Sequence, residues 1–407
     1  MREFVSVDEA RALILDHVKP LPVEQVPLAQ ALGRRLAEPV VSHDNIPPFP
    51  NAAMDGYAVR QADIVQLPAL LRVVATVGAG QLPPEVVPKG ACVQIMTGAP
   101  LPHWADAVVP LEWTEVDSEG RVRILQRPAA GENIRPSGQD VQAGQLLFAP
   151  GQPITPPVVA MLATIGVAQV PVFRRPRLRV VVTGDELVDP SQALTPGHIR
   201  DSAGPGLTAQ AQWAGAEVLP PLRVPDDRQK LEKAVVQALE ADVLVFSGGV
   251  SVGLYDLVRQ VLDAYGTAWL FWKIRQRPGK PMAFGLLEGK PVFGLPGNPV
   301  SSALCFDQYV VPALRRMQGQ QSVLRPRFPA VLEAPTPKKA GLYFFTRGVA
   351  RAANDGKLYV HDTGPQGSNL YHSMVRANCL IHLPEALEKA PAGLEVFIEW
   401  LPWAMEP

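Results

Sequence analysis

The sequence predicts a multidomain protein of mixed α/β and β type, with a doubly wound α/β unit at its centre. Residues 174–325 alternate short apolar runs with helical stretches, the pattern of a mainly parallel sheet with helices on both faces. Residues about 69–127, and again those after 325, string short apolar runs between turn residues, which reads as all-β. Helical segments flank the first all-β stretch on both sides, so two distant pieces of chain are expected to pack as one unit. The expected boundaries are 1–42 with 145–173 for a discontinuous N-terminal domain and 43–144 for an inserted small β-domain. The α/β domain takes 174–325, and a small β-barrel or sandwich takes 326–407.

In the first unit, Ser6 with Glu9 three residues on is a capping-box pattern. Ala10, Leu13, Ile14 and Val18 continue it at helical spacing, and Pro20 stops it. A second short helix is expected over about 28–35. The proline-dense stretch 43–51 excludes regular structure, and Asp55-Gly56 is a turn dipeptide of the hairpin kind. Apolar runs at 70–77, 91–96, 108–116 and 121–125 are strands, the last two joined through Asp117-Ser-Glu-Gly120. Thr155-Pro156 is an N-cap and first-turn pair opening a helix that Gly166 ends, and 167–173 returns as a strand.

In the α/β unit, Leu178–Val182 is a strand of the type buried on both faces, ending in Thr183-Gly-Asp-Glu-Leu187. Helices follow at about 204–214 and 228–239, the second capped by Asp226-Asp227. Val243–Phe246 is the most apolar short run, broken by Ser247-Gly248-Gly249 and then Ser251-Val-Gly253 before Asp256. A helix to Ala264, strands at 269–274, 282–286 and 291–295, and a helix over about 300–316 complete the unit.

Composition bounds the function. A length of 407 residues suggests two to four domains, and 38 Lys+Arg against 39 Asp+Glu give net charge −1. Such balance gives no reason to expect nucleic acid as a partner. The 43 prolines, roughly twice the usual share of about 5%, are spread between apolar runs and imply many rigid connections. Cys92, Cys305 and Cys379 are too far apart for a metal cluster or a disulfide framework, which fits a reducing compartment. The amino-terminal stretch carries Glu3, Asp8, Glu9 and Arg11, unlike a signal peptide, and no apolar run approaches the ~18 residues of a membrane span. No membrane association and a cytoplasmic location are the expectations.

Polar clusters fall where strands of the α/β unit end. They are Gly184-Asp-Glu186, Asp226-Asp227, Ser247-Gly-Gly249 with Asp256, the Arg277–Lys280 loop and Pro296-Gly-Asn-Pro299. Ligands of open α/β sheets bind beyond the carboxyl ends of strands. Glycine turns and basic side chains suit a phosphate, while Glu186, Asp226 and Asp256 suit a hard cation such as Mg²⁺. Each also has a plain structural role open to it. The Ser-Gly-Gly reads equally as a tight turn, Asp226 as a helix cap, Glu186 as a solvated turn residue and Asn298 as a turn former. The Arg277–Lys280 loop reads also as a solvated basic loop, though Pro278 and Pro281 stiffen it.

Several longer motifs, in this order, resemble one family. They are Met54-Asp-Gly-Tyr-Ala-Val59, Met96-Thr-Gly-Ala-Pro100, Thr183-Gly-Asp-Glu-Leu187, Ser247-Gly-Gly-Val-Ser-Val-Gly253, Pro278-Gly-Lys-Pro281 and Gly294-Leu-Pro-Gly-Asn-Pro-Val-Ser301. Together they are similar to the molybdopterin molybdenumtransferases, the MoeA proteins and the E domain of plant and animal homologues such as gephyrin. The resemblance spans nearly the whole chain. It implies an inserted β-domain, a molybdopterin-binding α/β domain and a C-terminal β-barrel. It also implies a reaction in which adenylylated molybdopterin receives molybdenum from molybdate and AMP is released with the help of Mg²⁺.

The resemblance assigns roles residue by residue. Asp256, Glu186, Asp226, Lys273 and Lys280 match the charged residues of the active cleft, and Asp226, Asp256 and Glu186 its metal-binding acids. Ser247, Gly248, Gly249, Ser251, Pro296, Gly297 and Asn298 match the substrate-binding turns. Asp55, Thr97, Arg135 and Asp140 match β-domain positions that face a partner subunit's cleft in a homodimer. Arg277, Lys280, Arg347 and Ser368 match positions that hold molybdate, a dianion needing several fixed donors. The adenylylating enzyme and molybdoenzyme acceptors are the other implied partners. Two departures stand out: Arg277 where the family commonly has Lys, and Ala203 where it usually has Asn. The competing readings are a non-catalytic scaffold of the same fold and a different nucleotide transferase built on residues 174–325.

Overall fold

The computed structural model describes residues 1–249 and 257–404. Its centre is an eight-stranded sheet ordered Arg2–Val5, Ala268–Ile274, Ala283–Leu287, Lys290–Leu295, Val243–Ser247, Arg177–Thr183, with Glu217–Val218 and Leu222–Val224 both on the last of these. The pairings are parallel except at Ala283–Leu287, which runs against both neighbours. Alternate residues of one strand enter opposite cores, as period-two geometry requires. Val180 and Val182 face the helices Val7–His17, Ala203–Trp213 and Pro299–Met317, while Val181 faces Arg228–Ala238 and Leu257–Ala264. This is the doubly wound arrangement expected, with one strand reversed.

Two expectations change. The strand Arg2–Val5 pairs with Ala268–Ile274 at the sheet edge, and Val5, Val7, Ala10, Ile14 and Val18 lie in the α/β core. The first eighteen residues thus pack with the central sheet and not with residues 23–42. The capping box is present, with Glu9 N–H donating to Ser6 Oγ at 3.2 Å and Ser6 N–H to Glu9 at 2.7 Å. The helix expected over 28–35 shrinks to the single turn Leu28–Gln30. Gly33 at φ 74 turns the chain, and Leu36 N–H then bonds the carbonyl of Gln152. Cross-chain pairing there satisfies the backbone that a helix would otherwise have satisfied.

Val23–Pro27 pairs with Gln169–Phe173 and Val40–Val41 with Leu146–Phe148, around a small core of Leu36, Ile154, Leu162 and Val170. Between these segments lies a six-stranded β-sheet. Gly56–Val59 sits inside it against Ala91–Ile95 and Ala107–Pro110, so Asp55-Gly56 enters a long-range strand and does not close a local hairpin. The C-terminal strands close on themselves: Tyr343–Ala352 pairs with both Leu358–Asp362 and Cys379–Leu383, which completes a β-barrel.

Barrel and α/β unit are joined at several places, including a shared apolar core that takes in Tyr343, Phe345, Leu380 and Leu401. Gln276–Arg277 adds as a short parallel strand beside Tyr343 and Phe344. Elsewhere a buried polar cluster spans both. Arg325 donates to Asp307 at 2.7 and 2.5 Å and to Glu399, and Gln308 donates to Asp307 and Glu399 at 2.8 Å. Asp307 and Gln308 occupy a π-helical turn, Phe306–Val310, within the long helix. Removing one member of such a cluster leaves the others buried and unpaired. Arg325→Met is therefore expected to lower unfolding free energy by about 3–5 kcal/mol, seen as a lower urea midpoint.

Candidate functional site

Three strands end side by side. Val182 is in register with Ser247, and Ser247 with Leu295, so the turns at Gly184, Gly248-Gly249 and Pro296-Gly297 meet at one edge. Small residues are needed there. A Cβ on Gly248 (φ 96) would stand 2.6 Å from the Thr183 carbonyl oxygen, and one on Gly249 (φ 60) 2.6 Å from Val258. Ser247 Oγ donates to the Pro296 carbonyl at 3.5 Å and ties two turns together. Above them opens a cavity of about 690 Å³ lined by these turns, Glu186, Asp201, Asp226, Asn298 and Asn369. That volume lies in the range of small-molecule sites.

The acidic side of the cavity is Asp226 with Asp185 and Glu186. Asp227, not Asp226, caps the following helix, accepting from Lys230 N–H at 2.8 Å. Asp226 is left for the cavity. Burial first, then the like charges of Asp185 and Glu186, push its carboxyl above the usual range. Among the described residues no three metal-binding side chains converge into a cage. Thr183, also on the cavity wall, has a buried hydroxyl with no partner.

A second cavity of about 280 Å³ adjoins the first through Pro281 and Asn298, and is lined by Arg277, Lys280, Ser301, Gln366 and Ser368. Its loop is fixed from beneath. The buried Gln276 amide donates to the Pro278 carbonyl at 3.1 Å and to Cys305 Sγ at 3.4 Å, and its oxygen accepts from Tyr309 Oη. Gly279 (φ 91) has no room for a side chain, because a Cβ would strike Cys305 Sγ and lie 2.7 Å from Gln276 Nε2. From the barrel side, Ser368 C=O accepts from Val300 N–H at 3.1 Å, in the first turn of the long helix.

Behind Arg277 is Arg347, fully buried at 0% exposure. Both line a smaller cavity of about 70 Å³ with Gln366, more than one water requires. Arg347 Nε donates to Ser373 Oγ at 2.8 Å and one terminal nitrogen to the Gly367 carbonyl at 3.2 Å; the other, Nη1, is buried with no partner. Burial pushes its pKa down to about 10. No ion pair to it occurs among the described residues, and desolvation of an uncompensated cation is the cause.

The structure therefore gathers Glu186, Asp226, Ser247, Gly248, Gly249, Pro296, Gly297, Asn298, Arg277, Lys280, Ser368 and Arg347 around connected cavities. Asp256 and Ser251 lie outside the described residues. Lys273 lines neither large cavity; its ammonium sits 5.3 Å from the Phe4 ring centroid. Asp55, Thr97, Arg135 and Asp140 are exposed on the β-domain, where Asp55 accepts from Thr97 N–H and Oγ1 at 2.7 Å. They line no cavity with the other residues. Ala203 stands on the wall of the large cavity and offers it no polar side-chain atom. Gln276, Gln366 and the Thr183 hydroxyl are additional to the residues expected from sequence. Gln366 sits in the turn-rich stretch Gly364-Pro-Gln-Gly-Ser368; Gln276 and Thr183 acquire their roles only through burial.

Comparison with known proteins matches the chain along its length. Residues 5–166 match the family described as MoeA N-terminal region (domain I and II). Residues 179–316 match that described as "Probable molybdopterin binding domain", and 329–401 the MoeA C-terminal region (domain IV). The chain is 37% identical to a molybdopterin molybdenumtransferase of Haemophilus influenzae, over 97% of this chain and 98% of that one. It is 36% identical to molybdopterin molybdenumtransferase 2 of Mycobacterium tuberculosis, over 96% and 98%. A crystal structure of a molybdopterin biosynthesis MoeA protein from Pyrococcus horikosii superposes with TM-score 0.84 at 31% identity, covering 98% of this chain and 99% of that one.

The crowded Asp226 has a measurable consequence. A carboxyl with a raised pKa in the folded state binds its proton more tightly there than in the unfolded chain. Stability contributed by the protonated form is lost as pH rises from the ordinary value of 3.8 through the raised one. In metal-free buffer, Asp226→Asn is expected to raise Tm at neutral pH, modestly because Asp226 is open to solvent. The gain should vanish as pH falls below the ordinary carboxylate range, which thermal melts across pH would show.

Proposed function

The chain belongs to the MoeA family of molybdopterin molybdenumtransferases, and we propose that its joined cavities divide the two substrates between them. It acts in molybdenum cofactor biosynthesis, as its relatives' names state for them. In this reading adenylylated molybdopterin lies over the glycine turns in the larger cavity, and molybdate sits among Arg277, Lys280, Arg347 and Ser368. The observation that carries it is Arg347. A buried guanidinium with an unpartnered nitrogen, beside a second arginine and a cavity, has the electrostatics of an oxyanion site. A pure scaffold gains nothing from such a group, since leaving a cation buried and unpaired costs stability.

The chemistry follows from placing the two anions next to each other. The phosphoanhydride rests against glycine turns at strand ends, where backbone can approach closely. Asn298 and Pro281 stand on both cavities and so at the seam between substrates. Water cleaves the phosphoanhydride and AMP leaves; the two dithiolene thiols bond to the molybdenum of molybdate, and one oxo group departs as water with the two thiol protons, with no change of oxidation state. Asp256 is proposed as the acidic residue beside the bond that breaks, and Lys273 and Lys280 as the cleft's cations.

Glu186 and Asp226, with Asp256, would hold Mg²⁺, which when bound polarises the phosphorus and stabilises the departing oxygen. A hard cation fits carboxylate donors, and Mg²⁺ is commonly bound by one or two carboxylates with substrate phosphates and water, so no full protein cage is required. Burial first, and then the like charges of Asp185 and Glu186, raise the Asp226 carboxyl, an environment that a bound cation would relieve. The proposal extends to a cytoplasmic homodimer in which Asp55, Thr97, Arg135 and Asp140 face the partner's cleft. Their exposure away from this chain's own cavities supports that reading.

Purified protein with adenylylated molybdopterin, Mg²⁺ and molybdate is expected to release AMP in proportion to molybdate; absence of that release would refute the reading. Arg347→Met should fold and melt no lower than wild type without molybdate, because it removes an unpaired buried charge. It should lose the rise in Tm that molybdate gives wild type, and its AMP release should fall about tenfold or more at molybdate levels that saturate wild type. Asp256→Asn should keep its circular dichroism spectrum while AMP release slows by about a hundredfold.

A further inference from the structure

One aromatic ring lies beside two lysines, one of which lines the cavity that Arg277 and Ser368 share. Lys280 Nζ stands 4.8 Å from the centroid of Phe4, and Lys273 Nζ stands 5.3 Å from it. Both distances are within cation–π range. Neighbouring pairs Glu3↔Trp272 and Val5↔Ile274 set Phe4 opposite Lys273. Lys280 joins them because its carbonyl accepts from Ile274 N–H at 2.9 Å. Phe4 (φ 54) and Lys273 (φ 68) both adopt left-handed backbone, which side-chain-bearing residues seldom do, so the surroundings hold them there. Arg275 fastens the strand: its guanidinium donates to the Phe4 carbonyl, and its N–H to the Val5 carbonyl at 2.9 Å.

From this geometry we propose that Phe4 is a positioning residue of the anion cleft, its ring holding the Lys280 and Lys273 ammonium groups together and aiming Lys280 at the cavity it shares with Arg277 and Ser368. The inference rests on the oxyanion reading of that cavity. Two like charges brought near each other repel, and the negative face of the ring offsets the repulsion without neutralising either charge. A carboxylate in the same place would hold the lysines equally well but would compete with the anion for them. An aromatic ring leaves the positive potential available to a dianion. The first strand of the chain thereby becomes part of the active cleft though it supplies no group to the ligand.

The test uses the full chain with Phe4→Leu and Phe4→Trp. Calorimetric titration with molybdate is expected to show Kd raised about two- to five-fold in Phe4→Leu and restored in Phe4→Trp, the effect of one exposed cation–π contact. Reductive ¹³C-methylation of lysines supplies a readout independent of binding. Methyl signals of Lys273 and Lys280, assigned through Lys→Arg variants, should show ring-current upfield shifts in wild type and Phe4→Trp and lose them in Phe4→Leu. Absence of those shifts in wild type overturns the proposal. So does an unchanged Kd in Phe4→Leu, or an equal weakening in Phe4→Leu and Phe4→Trp, which marks mere packing. Molybdate binding that responds to Phe4 in a chain that releases no AMP would support the proposal and refute the transferase reading alone.

Discussion

The peptide from Gln276 to Pro281 belongs to two units at once, and the geometry of the cleft depends on it. Its first two residues form a strand beside Tyr343 and Phe344 of the barrel, while its carbonyls at 278 and 279 are gripped from the α/β side by Gln276 and Cys305. A loop with only one attachment would move with one unit. Held on both sides, it fixes Arg277 and Lys280 relative to Arg347, which rises from the same barrel strand three residues after Phe344. Donors for an oxyanion are useful only when their spacing is set before the ligand arrives.

Around that loop the charges are sorted. The larger cavity carries Glu186, Asp201 and Asp226, with Arg200 the one cation on its wall among the described residues, and the smaller ones carry Arg277, Lys280 and Arg347. Each group of like charge is unfavourable by itself: Asp226 is pushed up by partial burial and then by its acidic neighbours, and Arg347 down by burial. On the proposed reading the two penalties would be relieved by ligands of opposite sign, Mg²⁺ beside the carboxylates and molybdate beside the arginines. Charges fixed by the fold in this way would hold two mutually repelling anions side by side without rearrangement at the moment of reaction.

The central unit was legible because strands buried on both faces are continuous apolar runs, and Val180 to Val182 and Val243 to Phe246 are such runs. The strand Arg2–Val5 was not, because an edge strand may carry Arg and Glu, and its pairing partner is more than 260 residues away. Asp55-Gly56 has the composition of a local turn, but its pairing is decided by distant strands. The adjacent Asp226 and Asp227 are equally good caps by type, and only the backbone at Asp227 (φ −118, ψ 123) decides between them. In the site, the glycine turns announce themselves by composition. Arg347 does not: a lone Arg in an apolar strand reads as an exposed residue, and its burial depends on the barrel closing over it.

Two buried arginines in this chain show how structural and functional charge differ. Arg325 is wrapped by Asp307, Glu399 and, through them, Gln308, so its positive charge is matched where it sits. Burial would lower its pKa, and the two carboxylates more than reverse that. Arg347 is no more exposed, yet its partners are a hydroxyl and a carbonyl, neutral groups that orient the guanidinium without cancelling it. If packing alone were served, an apolar side chain would suit that place better. An anion entering the adjoining cavity would match that charge, and on the proposed reading the affinity of the site resides in a group that packing alone leaves unsatisfied.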